Sequence, residues 1–199
     1  MFAFDCCAEP GCQRLAFAGQ DRCLRHLPDA ERAIARAAEL LAAGAVVKDL
    51  NIDGAALDGI DLSKRHFYGC SFIGVSLRSV LFTNATFVLC FFDRAALESC
   101  DFSTADAQYC SFGGSDIQNS SFENSELIHC SFDGSRMRES TFNGSNLYDS
   151  RFIDCELENV DFVDCDLKRV YLIPDKERNV SYKGSNTMEA IRDLEHLYL

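Results

Sequence analysis

A chain of 199 residues with 31 acidic and 19 basic side chains carries a formal net charge of −12 at pH 7. That charge disfavours nucleic acid and anionic membrane surfaces and favours basic partners. No run approaches the ~20 apolar residues of a membrane span, and residues 1–12 lack the basic start and apolar run of a secretory signal. The expectation is a soluble, cytoplasmic protein with no membrane association and no direct nucleic-acid binding.

The cysteines fall into two groups, four within the first 23 residues and seven spread along the chain in one recurring slot. In the first group Cys7 and Cys12 form one short pair, and Cys23 with His26 forms another. Zinc prefers four soft or borderline ligands in a tetrahedron, and paired ligands lower the cost of ordering them. The spacing predicts a small zinc-knuckle-like module over residues 1–27, with Cys7, Cys12, Cys23 and His26 as ligands and Cys6 able to replace Cys7. A closed set of four points to structural rather than catalytic zinc. Pro28, Asp29 and Glu31 suit a first helical turn, and Gly44 suits its end. A helix over residues 28–45, with Ile34, Ala37, Ala38 and Leu41 as its apolar stripe, would cap whatever follows.

From Ile52 to Leu172 an apolar residue recurs at every fifth position without a slip of frame. We call this position the centre; examples are Leu77, Phe92, Phe112, Phe122, Met137 and Leu167. Two residues before it stands a small or modest residue, as in Ala55, Cys70, Val80, Cys90, Cys110, Ser125 and Cys130, with Arg65 as the exception. A period of five fits neither an amphipathic helix nor a strand. It fits a chain that turns a corner every five residues, with two side chains inward and hydrogen bonds between successive coils. The stacked cysteines are then read as small buried hydrophobes.

Repeats such as Ser120-Ser121-Phe122 and Val160-Asp161-Phe162 carry a resemblance to the pentapeptide-repeat proteins, covering about residues 51–172. The resemblance implies an all-β solenoid, a right-handed quadrilateral β-helix of about six coils over residues 51–173, with four pentapeptides per coil. It also implies columns of period twenty. Phe72 to Phe152 would face Phe82 to Phe162, offset by the smaller series that contain Leu77 and Leu147.

Beyond Pro174 the spacing predicts a final helix over 185–199, with Met188, Ile191, Leu194, Leu197 and Tyr198 giving it more apolar surface than a cap needs. A homodimer through this helix is expected, and some pentapeptide-repeat proteins dimerise there. On the rod, Asp106, Glu126 and Asp166 form one acidic ridge, and Asp61, Asp101 and Asp161 form another. Relatives of this kind bind type II topoisomerases and protect them from quinolone-like poisons. The uninterrupted repeat, the N-terminal cysteines and the basic Arg136, Arg138 and Arg151 depart from that pattern. Tyr68, Val88, Ile128 and Tyr148, flanked by Leu89 and Tyr109, form an apolar file suited to a protein partner. No nucleophile elbow or phosphate-cradling loop occurs, so catalysis is not expected. The reading is a non-enzymatic protein-binding scaffold or adaptor, with acidic mimicry of DNA toward a type II topoisomerase as the alternative.

Overall fold

The computed structural model describes residues 4–193. A helix, α1 (Ala30–Ala43), follows the N-terminal segment. Asp29 caps it by accepting a hydrogen bond from the Arg32 amide at 2.9 Å, satisfying one of the free amides of the first turn. Ala37 and Leu41 are buried, with Ala33, Ile34 and Ala38 partly buried against the same core.

The rest is an all-β solenoid of parallel ladders. One sheet joins Val46–Lys48, His66–Tyr68, Thr86–Val88, Asp106–Gln108 and Glu126–Ile128. A second, of seven strands, runs from Ala56–Asp58 to Lys176–Arg178. Arg151–Ile153 and Tyr171–Ile173 form a third, and single parallel bridges complete the ladders. The register is twenty throughout, as in Phe67 opposite Phe87 and Leu77 opposite Leu97. With five residues per repeat, the centres sort into four columns, which we number from Val47, Ile52, Leu57 and Leu62.

The corners explain the period. The residue two after each centre has a left-handed backbone, from Asp49 at φ 50° through Gly74, Asn124 and Asp154 to Asn179 at φ 52°. Glycine, Asn and Asp tolerate that region best. Proline cannot reach it, and at Pro174 the corner is displaced. The amides of Asp175 and Lys176 both turn onto the Cys155 carbonyl, at 2.8 and 3.2 Å.

The interior is made of rings. In the second column Phe72, Phe92, Phe112, Phe132 and Phe152 stack face to face at 4.5–4.8 Å. In the fourth, Phe82, Phe102, Phe122, Phe142 and Phe162 do the same at 4.7–4.9 Å. The two stacks meet edge to face, as for Phe112 and Phe122 at 5.9 Å and 89°, the arrangement that ring quadrupoles favour. The slot two before each centre is buried and satisfied by backbone. The Cys90 thiol donates to the Phe67 carbonyl at 3.5 Å, and the Ser115 hydroxyl to the Phe112 carbonyl at 2.6 Å. Either group fits because size is what the slot selects, and Ala55 and Val80 fill it with no donor at all. Burial pushes the Cys100, Cys155 and Cys165 thiols up to about 11, so they stay protonated and inert. Arg65 escapes the size rule at the end of the rod, where its guanidinium donates to the Gly44 carbonyl at 2.6 Å, at the C-terminus of α1.

The solenoid extends beyond the apolar periodicity at both ends. It begins at Val46, with Val47 as a buried centre. It continues past Leu172 through Ser181, which bridges Asp161, to Ile191, which bridges Tyr171. In that last coil the centres include Glu177 and Thr187, and Tyr182 stacks on Phe162 at 5.4 Å. A terminal coil covers its neighbour without being covered itself, so its pattern turns polar.

The expected helix over 185–199 is corrected for the part described. Thr187–Glu189 form a single 3-10 turn. The Ile191 amide then donates to the Val170 carbonyl at 2.7 Å and its carbonyl accepts from Leu172 at 2.9 Å. The open ladder edge offers bonds that a short isolated helix cannot match. Leu194, Leu197 and Tyr198 lie outside the described residues.

Candidate functional site: a thiol–imidazole cluster and the exposed files of the rod

The N-terminal segment folds as a hairpin. Cys6 bridges Leu15 in antiparallel fashion, and the Cys7 amide donates to the Arg14 carbonyl at 2.9 Å. The turn between them is closed by the Cys12 amide on the Glu9 carbonyl at 3.0 Å. Gly11, at φ 78°, supplies the left-handed residue it needs. A 3-10 turn, Leu24–His26, then swings the imidazole back over Cys23.

Four ligand atoms converge as a result. The Sγ atoms of Cys7, Cys12 and Cys23 and one His26 ring nitrogen all lie within 4.8 Å of one another. His26 Nδ1 is 3.4 Å from Cys7 Sγ and 3.6 Å from Cys23 Sγ, and the Cys12 and Cys23 sulfurs are 3.9 Å apart. A tetrahedral ion with sulfur at ~2.3 Å and nitrogen at ~2.0–2.1 Å has edges of about 3.8 and 3.6 Å. The donor set and its spacing therefore fit a metal ion. Cys6 is not part of the set. It is exposed, and alternation along the strand points it away from Cys7. For the Cys7 thiol, burial opposes ionisation. Hydrogen bonding from the Cys23 backbone and the His26 ring prevails and lowers it to about 6, while burial and the Cys7 neighbour raise Cys23.

The module is fastened to the first coil. The Ala18 amide donates to the Asn51 carbonyl at 2.7 Å, the Asn51 side chain donates to the Ala16 carbonyl at 2.8 Å, and Phe17 is buried in the solenoid core. It thus occupies part of the N-terminal edge.

The six acidic residues lie in two files. Asp106 and Glu126 are directly opposed in the first column; Asn146 and then Asp166 continue the file. Asp61 and Asp101 belong to the fourth column, with Leu81 between them, and Ser121 and Thr141 separate Asp101 from Asp161. The second ridge is therefore sparse. None of the six has a salt bridge among the described residues. Neutral donors hold several of them. Asp166 accepts from the Lys168 amide and the Asn186 side chain, and Asp61 accepts from Ser63, which keeps its carboxyl below the usual range. Burial works against ionisation of Asp101, but Ser103 and Thr83 donate to it and hold it low as well.

The third column is different, and only the twenty-residue register reveals it. Arg78 pairs with Glu98 at 2.9 Å. Glu156 lies between Arg136 at 2.9 Å and Lys176 at 2.6 Å, and Arg138 reaches Asp116 and Glu158. The basic residues that interrupt the acidic surface in sequence mostly neutralise this one column. Lys176 and then Arg136 hold the exposed Glu156 carboxyl down to about 2 from its ordinary 4.5. A depressed folded value means that the stabilisation is present above the ordinary value and fades as pH falls toward about 2. The difference in melting temperature between the wild type and Glu156→Gln is thus expected at about pH 6 and should vanish near pH 2, as read by circular dichroism melts.

The apolar file is a pairing of neighbours in part. Tyr68 opposes Val88, but Gln108 stands between Val88 and Ile128. Tyr148 follows, with its ring edge-on to His129 at 6.0 Å. Leu89 and Tyr109 occupy the adjoining corner, 45% and 54% exposed, at φ 55° and 56°. Tyr109 stacks on His129 at 4.8 Å, and His129 pairs with Asp149 at 3.1 Å.

A five-residue frame, parallel coils and a ring-filled interior define a repeat solenoid. Residues 107–173 match the family model described as the pentapeptide repeat region. That stretch of the chain is a pentapeptide repeat region. No curated protein matches it in sequence. Among solved structures it is similar to full-length QnrB1, a plasmid-mediated fluoroquinolone resistance protein, at 17% identity and a TM-score of 0.45, over 77% of this chain and 86% of that one. It is also similar to a pentapeptide-repeat protein of the Arabidopsis thaliana thylakoid lumen, at 24% identity and a TM-score of 0.31, over 60% and 69%. A third is HetL of the cyanobacterium Nostoc, involved in heterocyst differentiation regulation, at 12% identity and a TM-score of 0.25, over 73% and 86%. Among the described residues no helix is long and apolar enough to cross a membrane.

Proposed function

We propose that this protein is a cytoplasmic, non-enzymatic binder that presents fixed negative charge, as DNA does, to a basic protein surface. The partner class is a type II topoisomerase, as the family resemblance implies. The observation that carries this reading is that Asp61, Asp101, Asp106, Glu126, Asp161 and Asp166 make no salt bridge among the described residues, while the third column is neutralised. Files along a right-handed four-sided rod would repeat every ~4.8 Å, and carboxylates held by neutral donors keep their charge and direction. Structural zinc on Cys7, Cys12, Cys23 and His26 would hold the N-terminal module. A second copy would meet the C-terminal end, where Met188 is 96% exposed.

The test is binding of purified protein to gyrase or topoisomerase IV, with and without duplex DNA. Binding should fall as salt rises, be displaced by DNA, and weaken about tenfold in Asp106→Asn/Glu126→Gln/Asp166→Asn. Binding that ignores all three manipulations rejects mimicry.

One observation favours a second reading, an adaptor for a different protein. Leu89 and Tyr109 are bulky apolar residues held in a strained backbone region at an exposed corner, where neither local conformation nor burial asks for them. A partner lost on Tyr109→Ser with Leu89→Asn, but indifferent to the acidic substitutions, would establish it.

A further inference from the structure

Where the N-terminal module meets the second column there is a cleft of about 650 Å³. Its lining includes the apolar Leu15, Leu24 and Ile73 and three arginines from two separate parts of the fold. Arg14 and Arg25 come from the hairpin module, and Arg94 from a corner of the solenoid, at φ 56°. None of the three has a salt bridge among the described residues, whereas Arg22 of the same module pairs with Glu9 and the arginines of the third column pair across coils. Asp53 is the one acid in the lining; it accepts from the Ser71 hydroxyl at 2.5 Å and the Ile73 amide at 2.9 Å and is near enough to Arg94 to be stabilised by it, which leaves the cleft with a surplus of two positive charges. A protein of net charge −12 thus gathers three guanidinium groups against a single carboxylate, Asp53, around one partly apolar concavity.

We propose that this cleft binds a short acidic peptide segment carrying an apolar side chain, with the carboxylates on Arg14, Arg25 and Arg94 and the apolar group on Leu15, Leu24 and Ile73. Guanidinium groups match carboxylates in geometry as well as in charge. The apolar part of the lining argues against a simple anion. A nucleic-acid strand leaving the cleft would run beside the carboxylate files, which repel a polyanion, whereas a short peptide ends inside it. The site is separate from the acidic files, so the two bindings are independent.

The experiment is fluorescence anisotropy with the full chain and a labelled hexapeptide, Glu-Asp-Leu-Glu-Leu-Asp. Saturable binding is expected. It should weaken about tenfold or more in Arg94→Glu and in Arg14→Glu, weaken on replacing both leucines with serine, and persist in the remote Lys168→Glu. Arg94 and Arg14 stand on different parts of the fold, and both variants should keep the wild-type melting temperature. The absence of saturable binding, indifference to both arginine substitutions, or tighter binding of a single-stranded oligouridine of equal length would overturn the assignment.

Discussion

Truncating Phe112 to alanine is expected to destabilise the rod by about 3–5 kcal/mol. Phe112 stacks on Phe92 and Phe132, both at 4.8 Å, and meets the edges of Phe102 at 6.1 Å and Phe122 at 5.9 Å. The ring is thus stacked on both faces and met by the edges of two more rings, whose positions are set by a continuous ladder. The backbone cannot collapse into the void without breaking the hydrogen bonds of neighbouring coils. The cost should therefore lie toward the cavity-dominated end of the range. Phe112→Leu should cost less than half as much, since most of the volume is kept. Urea denaturation of both variants checks this. A loss below about 1 kcal/mol for the alanine variant would show that the interior is not close-packed as described.

With zinc on the cluster as proposed, removing it, or one of the four side chains, is expected to unfold the N-terminal module while the rod survives. The module's own backbone bonds are the hairpin, two turns and the links from Ala8 to Asp21 and Phe17 to Arg22, and a metal would supply most of what holds Cys7, Cys12, Cys23 and His26 together. Structural zinc in small modules is worth about 10–16 kcal/mol of folding free energy at neutral pH. Elemental analysis should find one zinc per chain in the wild type and none in Cys23→Ala. Chelator or Cys23→Ala should expose residues 1–27 to protease, and the far-ultraviolet β signal should remain. Cys6→Ala should behave as wild type, because Cys6 faces solvent. A metal-free wild type that resists protease would show that hydrogen bonding alone holds the module.

The strongest signals in the sequence were those that repeat. A large centre and a small slot every five residues describe the interior almost side chain by side chain, because each coil places the same two positions inward. The thiol–imidazole cluster was legible for a related reason. Cys7, Cys12, Cys23 and His26 lie within one short segment, where local turns suffice to bring them together. The choice between Cys6 and Cys7 was not legible. It depended on which face of a hairpin strand turned inward, and the bridge to Leu15 decided that.

The ends of the rod were misplaced for a physical reason. The apolar pattern records burial between two neighbours, and a terminal coil has only one. Glu177 and Thr187 therefore look like the end of the repeat although the ladder continues to Ile191. The apolar residues near the C-terminus read as a helix face, yet Ile191 serves the open edge of the solenoid.

By itself the sequence determined the repeat, the identity of the interior residues and the four side chains of the thiol–imidazole cluster, because each depends on local or strictly periodic order. Only the tertiary structure decided which charges are neutralised, where the rod ends, and that Arg94 joins Arg14 and Arg25 around one cleft. Those outcomes rest on contacts twenty or more residues apart, between side chains on different coils. A five-residue pattern fixes the path of the chain but carries no record of which surface charges that path brings together.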